Sequence, residues 1–111
     1  MMPKPKITPE IKLQVDTIVD RFNVEQLRGM PWAHYVTRYR GAHLYLGRQQ
    51  NDQFWPICRL TYTGNMQRWE FAIYKYSNER YDPDDWFFPG SEDVDGTIVG
   101  ALRAGLKAYP P

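Results

Sequence analysis

Apolar residues recur at helical spacing at the two ends of the chain and alternate in between. Ile11, Val15, Ile18 and Phe22 form one stripe, while Lys12, Asp16, Asp20 and Arg21 fall largely off it. This spacing predicts a one-sided helix over 9–22. Its start has a mechanism: Thr8 can cap free N–H groups, Pro9 suits the first helical position, and Glu10 complements the positive helix end. A short turn at Val24–Leu27 extends it, and Gly29, Met30 and Pro31 end it.

The middle of the chain is strand-like. Tyr35-Val36-Thr37-Arg38-Tyr39 reads as an edge strand, with a turn at Arg40-Gly41. His43 to Leu46 alternates, and a polar loop follows at Gln49–Gln53. Residues 57–62 and 69–76 are two further β-prone runs, separated by the tight-turn signal Thr63-Gly64-Asn65. Residues 77–93 form a polar, acidic connection, with Trp86-Phe87-Phe88 expected to pin it to the core. Val94, Ile98, Ala101, Leu102, Gly105, Leu106 and Tyr109 then mark the apolar face of a second helix over 93–109.

These elements predict one α+β domain over 8–111, preceded by a disordered tail over 1–7. The expected architecture is an N-terminal helix, an antiparallel three- to four-stranded meander sheet and a C-terminal helix, in α-β-β-β-α order. Both helices are expected on one sheet face. Alternation assigns Leu44, Leu46, Cys58, Leu60, Tyr62, Trp69, Phe71 and Ile73 to the covered face. His43, Tyr45, Ile57, Arg59, Thr61, Ala72, Tyr74 and Tyr76 fall on the other, which is left open.

That open face changes the picture from fold to function. Three tyrosines on it would expose roughly 450–750 Å², at or above the ~300–600 Å² largest patch of an ordinary monomer. Tyr45, Arg59, Tyr74 and Tyr76, with Arg38, Arg40 and Arg48 nearby, are therefore the candidate binding residues. Exposed tyrosines also decorate strands without any partner, because they are β-favouring and tolerate water at the hydroxyl.

Composition narrows the function classes. At 111 residues with 42% hydrophobic and 24% charged residues, the chain fits one globular domain. One cysteine, Cys58, admits no internal disulfide, which suggests a reducing compartment. No apolar run reaches the ~20 residues needed to cross a bilayer, and no leader pattern is seen, so a cytoplasmic location is expected and membranes are not expected partners. Charge is polarised. Residues 1–50 carry eight Lys/Arg against four Asp/Glu, and residues 51–111 carry six against nine. Arg28, Arg38, Arg40 and Arg48 lie in an acid-free stretch, whereas Glu79, Asp82, Asp84, Asp85, Glu92, Asp93 and Asp95 crowd a later one.

The α-β-β-β-α order resembles that of double-stranded RNA-binding domains. In that family the second helix begins with lysines that face phosphates. The matching stretch here is Ser91-Glu92-Asp93-Val94-Asp95, which would repel them, so the resemblance implies a fold and not the function.

Chemistry is sparse. Asp93-Val94-Asp95-Gly96 mimics the middle of a calcium loop, but Ser91 and Leu102 stand where an acid and a bidentate glutamate are required. His34 and His43 lack partners at zinc spacing. Cys58 falls on the covered face and reads as a structural thiol. No cofactor, metal or catalytic residue is expected. The leading expectation is a non-enzymatic module that binds protein, its own copy included, through the aromatic face. Single-stranded nucleic-acid binding through the same face is the alternative; near-neutral charge and the acidic loop rank it second. A hydrolase-like activity built on the acidic loop is the weakest reading.

Overall fold

The computed structural model describes residues 5–111. Thr8 Oγ accepts from the Ile11 N–H, with Pro9 in the first turn, and starts helix α1 (Pro9–Gln26) where the capping pattern places it. The helix runs one turn beyond 22, so the expected turn at Val24–Leu27 is continuous with it. Val15, Val19 and Phe22 are buried along its inner stripe.

Five strands follow: β1 (Ala33–Arg40), β2 (His43–Gln50), β3 (Gln53–Thr61), β4 (Glu70–Lys75) and β5 (Arg80–Asp82). They form one antiparallel meander in sequence order. Helix α2 (Ile98–Ala108) closes the chain. The fold is α+β as predicted, with a sheet larger than the expected three to four strands. The 35–39 segment is a full strand. A short fifth strand arises where Asn78 and Glu79 turn the chain, with Glu79 at φ 55°, and Tyr81 pairs back on Tyr74.

Both helices lie on one side of the sheet. Leu44, Leu46, Cys58, Leu60, Phe71 and Ile73 are buried there with Val15, Val19, Phe22, Ile98, Ala101 and Leu102 in one core. Tyr35 binds the two layers: its ring meets Phe22 edge-on and its hydroxyl donates to the Leu102 carbonyl at 2.7 Å. On α1, Asp16 Oδ1 accepts from the hydroxyls of Thr37 and Tyr39 in β1. Gly105 lets α2 approach closely, since a Cβ there would stand 2.4 Å from the Tyr35 hydroxyl and 2.6 Å from Ile57.

Three expectations are corrected. The second helix begins at Ile98 rather than near 93. Gly96 has φ 90°, which breaks any helix there, and Thr97 then caps the Gly100 N–H. Ser91–Asp93 is a separate 3₁₀ turn. The strict alternation of β3 also fails. The register shifts between Leu46 and Gly47, so Ile57 and Cys58 are consecutive residues that both face the core. This is a β-bulge beside Pro56, whose nitrogen has no hydrogen to give a ladder. Lastly, the expected tail is partly ordered: Ile7 is buried and its N–H bonds to the Gly41 carbonyl. Residues 1–4 of that tail lie outside the described residues. Among the described residues no helix is long and apolar enough to cross a membrane.

Candidate functional site: the uncovered sheet face

Register places the side chains of the uncovered face. Arg38 of β1 stands opposite Tyr45 of β2, Tyr45 opposite Arg59 of β3, and Arg59 opposite Ala72 of β4. Tyr74 of β4 stands opposite Tyr81 of β5. Because successive pairs share a face, Arg38, Tyr45, Arg59, Tyr74 and Tyr81 form a band across all five strands. His43 adds to it, with Nδ1 3.0 Å from Thr61 Oγ1.

Within this band the rings meet edge to face. Tyr45 and Tyr81 have centroids 5.4 Å apart at an interplanar angle of 62°, and Tyr74 and Tyr81 are 5.0 Å apart at 67°. The cations sit on rings. Arg38 lies 3.7 Å from the Phe54 centroid and Arg59 lies 5.6 Å from that of Tyr81. Phe54 reaches this face because the bulge reverses the alternation of β3. Its ring covers Gly47, where an added Cβ would lie 2.2 Å from it. Among the described residues Arg38, Arg40 and Arg59 are in no ion pair.

Burial and neighbouring charge tune the titratable members. The His43 imidazolium is disfavoured by desolvation first and by Arg59 second, so its pKa lies below the ordinary value. Burial pushes the Tyr81 hydroxyl up to about 12. The band is therefore basic through arginine, while its histidine and this tyrosine are neutral at neutral pH.

Two candidate residues are elsewhere. Arg48 is 1% exposed and lies on the helix-covered side. It donates to the carbonyls of Gly105 at 3.1 Å and of Tyr109, and to the Tyr35 hydroxyl at 3.3 Å. These carbonyls belong to the last turn of α2, where a cation satisfies free acceptors and opposes the helix dipole. Arg48 is thus a buried helix cap, not a surface contact. Tyr76 lies past the end of β4. Its ring neighbours Tyr74, Trp55 and Tyr109, and its hydroxyl donates to the Pro56 carbonyl. It borders the band at the sheet's end rather than standing within it.

The bare tyrosine area is smaller than alternation suggested. Tyr45 and Tyr74 are partly buried by their neighbours, and of the three only Tyr76 is exposed. Phe54 and Tyr81 were missed. The bulge hides Phe54 from any strict period-two reading; Tyr81 was signalled weakly by the Ser77-Asn78 turn between two tyrosines.

The acidic connection is also resolved. Phe88 stacks on Phe71 and Trp86 leans on both, but Phe87 is 98% exposed, so only two of the three aromatics pin the loop. Several of its acids are engaged. Asp85 pairs with Lys75 at 2.7 Å, and Asp93 and Glu92 meet Lys107 at 2.7 and 3.3 Å. Asp95 accepts from the Thr97 hydroxyl and N–H. The Lys75 hydrogen bond holds Asp85 below its usual range, and hydrogen bonds do the same for Glu92 and Asp95. A general acid requires the opposite shift. Cys58 is fully buried, and burial pushes its thiol up, away from a reactive thiolate.

Buried donors without acceptors are the remaining chemical signal. Among the described residues, Trp69 Nε1–H and the Nε–H of Arg48 and Arg59 are buried and find no partner, a condition that costs about 1–3 kcal/mol per group. The chain matches no family model, no curated protein and no solved structure.

Proposed function

We propose that this protein is a non-enzymatic interaction module that binds another protein surface, most simply a second copy of itself, through the uncovered face of the sheet. The observation that supports this reading is the band of Arg38, Tyr45, Arg59, Tyr74 and Tyr81, in which each arginine rests on an aromatic ring. Tyrosine and arginine are the residues enriched at the centres of protein interfaces. A two-fold axis across the face would set the arginines of one copy against the tyrosines of the other, the self-complementarity that a closed dimer requires.

Single-stranded nucleic acid is the weaker reading of the same face. Base stacking needs open ring faces, and here Tyr45, Tyr74 and Tyr81 turn edges and faces toward one another while arginines cover Phe54 and Tyr81. What favours it is the presence of Arg38, Arg40 and Arg59 outside any ion pair among the described residues. A hydrolase-like role for the acidic loop has least support, since Asp85, Glu92 and Asp95 are engaged in hydrogen bonds that shift them toward the ionised form.

Light scattering against concentration tests the leading reading. A dimer is expected below about 100 μM, with Tyr45→Ala weakening it at least about tenfold. A monomer at that concentration removes the self-association reading. Fluorescence titration with short oligonucleotides at two salt concentrations tests the second; salt-sensitive binding with no dimer would replace the first reading by it.

A further inference from the structure

β1 is an edge of the sheet, since it pairs only with β2. In an antiparallel strand the backbone N–H and C=O of alternate residues point away from the neighbouring strand. Tyr35 sets the phase. Its N–H donates to Asn23 Oδ1 at 2.8 Å and its carbonyl accepts from Asn23 Nδ2 at 3.0 Å. The α1 amide side chain thus takes the place of a neighbouring strand at that position. The register with β2 is unbroken, so Ala33, Thr37 and Tyr39 point the same way as Tyr35.

The two ends of this edge are closed. The Ala33 N–H donates to the Met30 carbonyl, and just past the strand the Gly41 carbonyl accepts from the Ile7 N–H. Thr37 and Tyr39, between them, differ. Their hydroxyls reach Asp16, but among the described residues their outward backbone N–H and C=O groups find no partner. Beside this stretch α1 leaves a groove of about 330 Å³, lined by Asp16, Asp20 and Asn23 of the helix and by residues 34–37 of β1. An open stretch of edge with space next to it is a template for another strand.

We propose that this stretch pairs with a short extended segment of a partner protein that presents acidic side chains to Arg38 and Arg40. Strand addition of this kind takes affinity from main-chain hydrogen bonds and specificity from alternate side chains. Thr37 and Tyr39 supply the main-chain donors and acceptors. Arg38 and Arg40 alternate with them and so project to the uncovered side, exposed and in no ion pair among the described residues. A carboxylate on the added strand opposite either arginine matches it in charge and geometry. A second copy of β1 fits poorly. Pairing Thr37 with the copy's Tyr39 sets Arg38 against its own counterpart, and like charges directly opposite are destabilising. The eight residues of a second β1 would also run into Asn23, which already fills the partner position at Tyr35. The edge shares only Arg38 with the sheet-face band, so it stands apart from the interface proposed there.

The test follows amide hydrogen exchange by nuclear magnetic resonance while an end-capped peptide of about five residues, alternating glutamate with threonine, is added. Two controls accompany it: the same peptide with lysine for glutamate, and the glutamate peptide N-methylated at its threonines, the residues that would face Thr37 and Tyr39. In the free protein the Thr37 and Tyr39 amides should exchange faster than those of Val36 and Arg38. The glutamate peptide should slow both in a saturable way, and each control should bind at least about tenfold more weakly. Arg38→Glu should reverse the order of the glutamate and lysine peptides. Tyr74→Ala, at the far side of the sheet-face band, should weaken the dimer and leave peptide binding unchanged, so the two readings fail separately. The proposal is overturned by an absence of saturable protection, by equal binding of either control, or by loss of peptide binding in Tyr74→Ala. Thr37 and Tyr39 amides already protected in the free monomer overturn it too, and protection that grows with protein concentration alone replaces the acidic strand by a second copy.

Discussion

The two sides of the sheet carry the same pairing of arginine with tyrosine and use it differently. On the covered side Arg48 lies 5.0 Å from the Tyr35 ring centroid, and its N–H groups also reach the end of α2. On the uncovered side Arg59 lies 5.6 Å from the Tyr81 ring, with no carbonyl acceptor and no ion pair among the described residues. The difference is the helix. Where α2 ends against the sheet, an arginine completes the fold; where no helix lies, the same residue type keeps unused donors. Residue identity therefore says less about role than the supply of acceptors around it.

The largest expected effect falls on the covered side. Arg48→Ala removes charge-assisted bonds to two helix-end carbonyls and opens a hole in the core, so a loss of about 3 kcal/mol is expected by chemical denaturation. A loss under about 1 kcal/mol would place Arg48 with the surface arginines and erase the contrast. Next, Gly105→Ala sets a methyl against the Tyr35 hydroxyl and Ile57. Overpacking of this kind costs about 1–3 kcal/mol, readable as a lowered denaturation midpoint; an unchanged midpoint would mean α2 has room to move away.

On the uncovered side the order of sensitivities should reverse. Arg38→Ala is expected to change stability by less than about 1 kcal/mol while weakening association in light scattering. If it destabilises as much as Arg48→Ala, the band is a structural element rather than an interface. The smallest effect is one of pH. Since the folded-state pKa of His43 is depressed by burial and Arg59, the unfolded chain takes up a proton first as pH falls below about 6.5. Stability from this group is thus full above the unfolded pKa and declines as pH drops toward the folded one. Protonation also adds a cation beside Arg59 and Arg40, so association should weaken from pH 7 toward 5. His43→Gln should flatten that portion of the profile, leaving the losses at lower pH from Asp85, Glu92 and Asp95, whose pKa values are also depressed.

Much of the fold was legible because it rests on local rules. The Thr8-Pro9-Glu10 start, the stripe through Val15 and Phe22, and the alternation through Leu44 and Leu46 each depend on residues a few positions apart. Part of the candidate face was legible for the same reason: Tyr45, Arg59 and Tyr74 share a face by simple alternation, with Arg38 named only as a nearby charge. The rest was not. Ile57 changed sides and Phe54 went unread because of one extra residue in β3, and Arg48 vanished from the surface because α2 ends over it.

By itself, then, the order of residues determined the α+β class, the two helix stripes and the side on which most strand residues fall, since each follows from backbone geometry over short spans. Only the tertiary structure decided which arginines are consumed and which rings meet edge to face. Those outcomes depend on acceptors and surfaces brought from distant parts of the chain, and no local spacing encodes them.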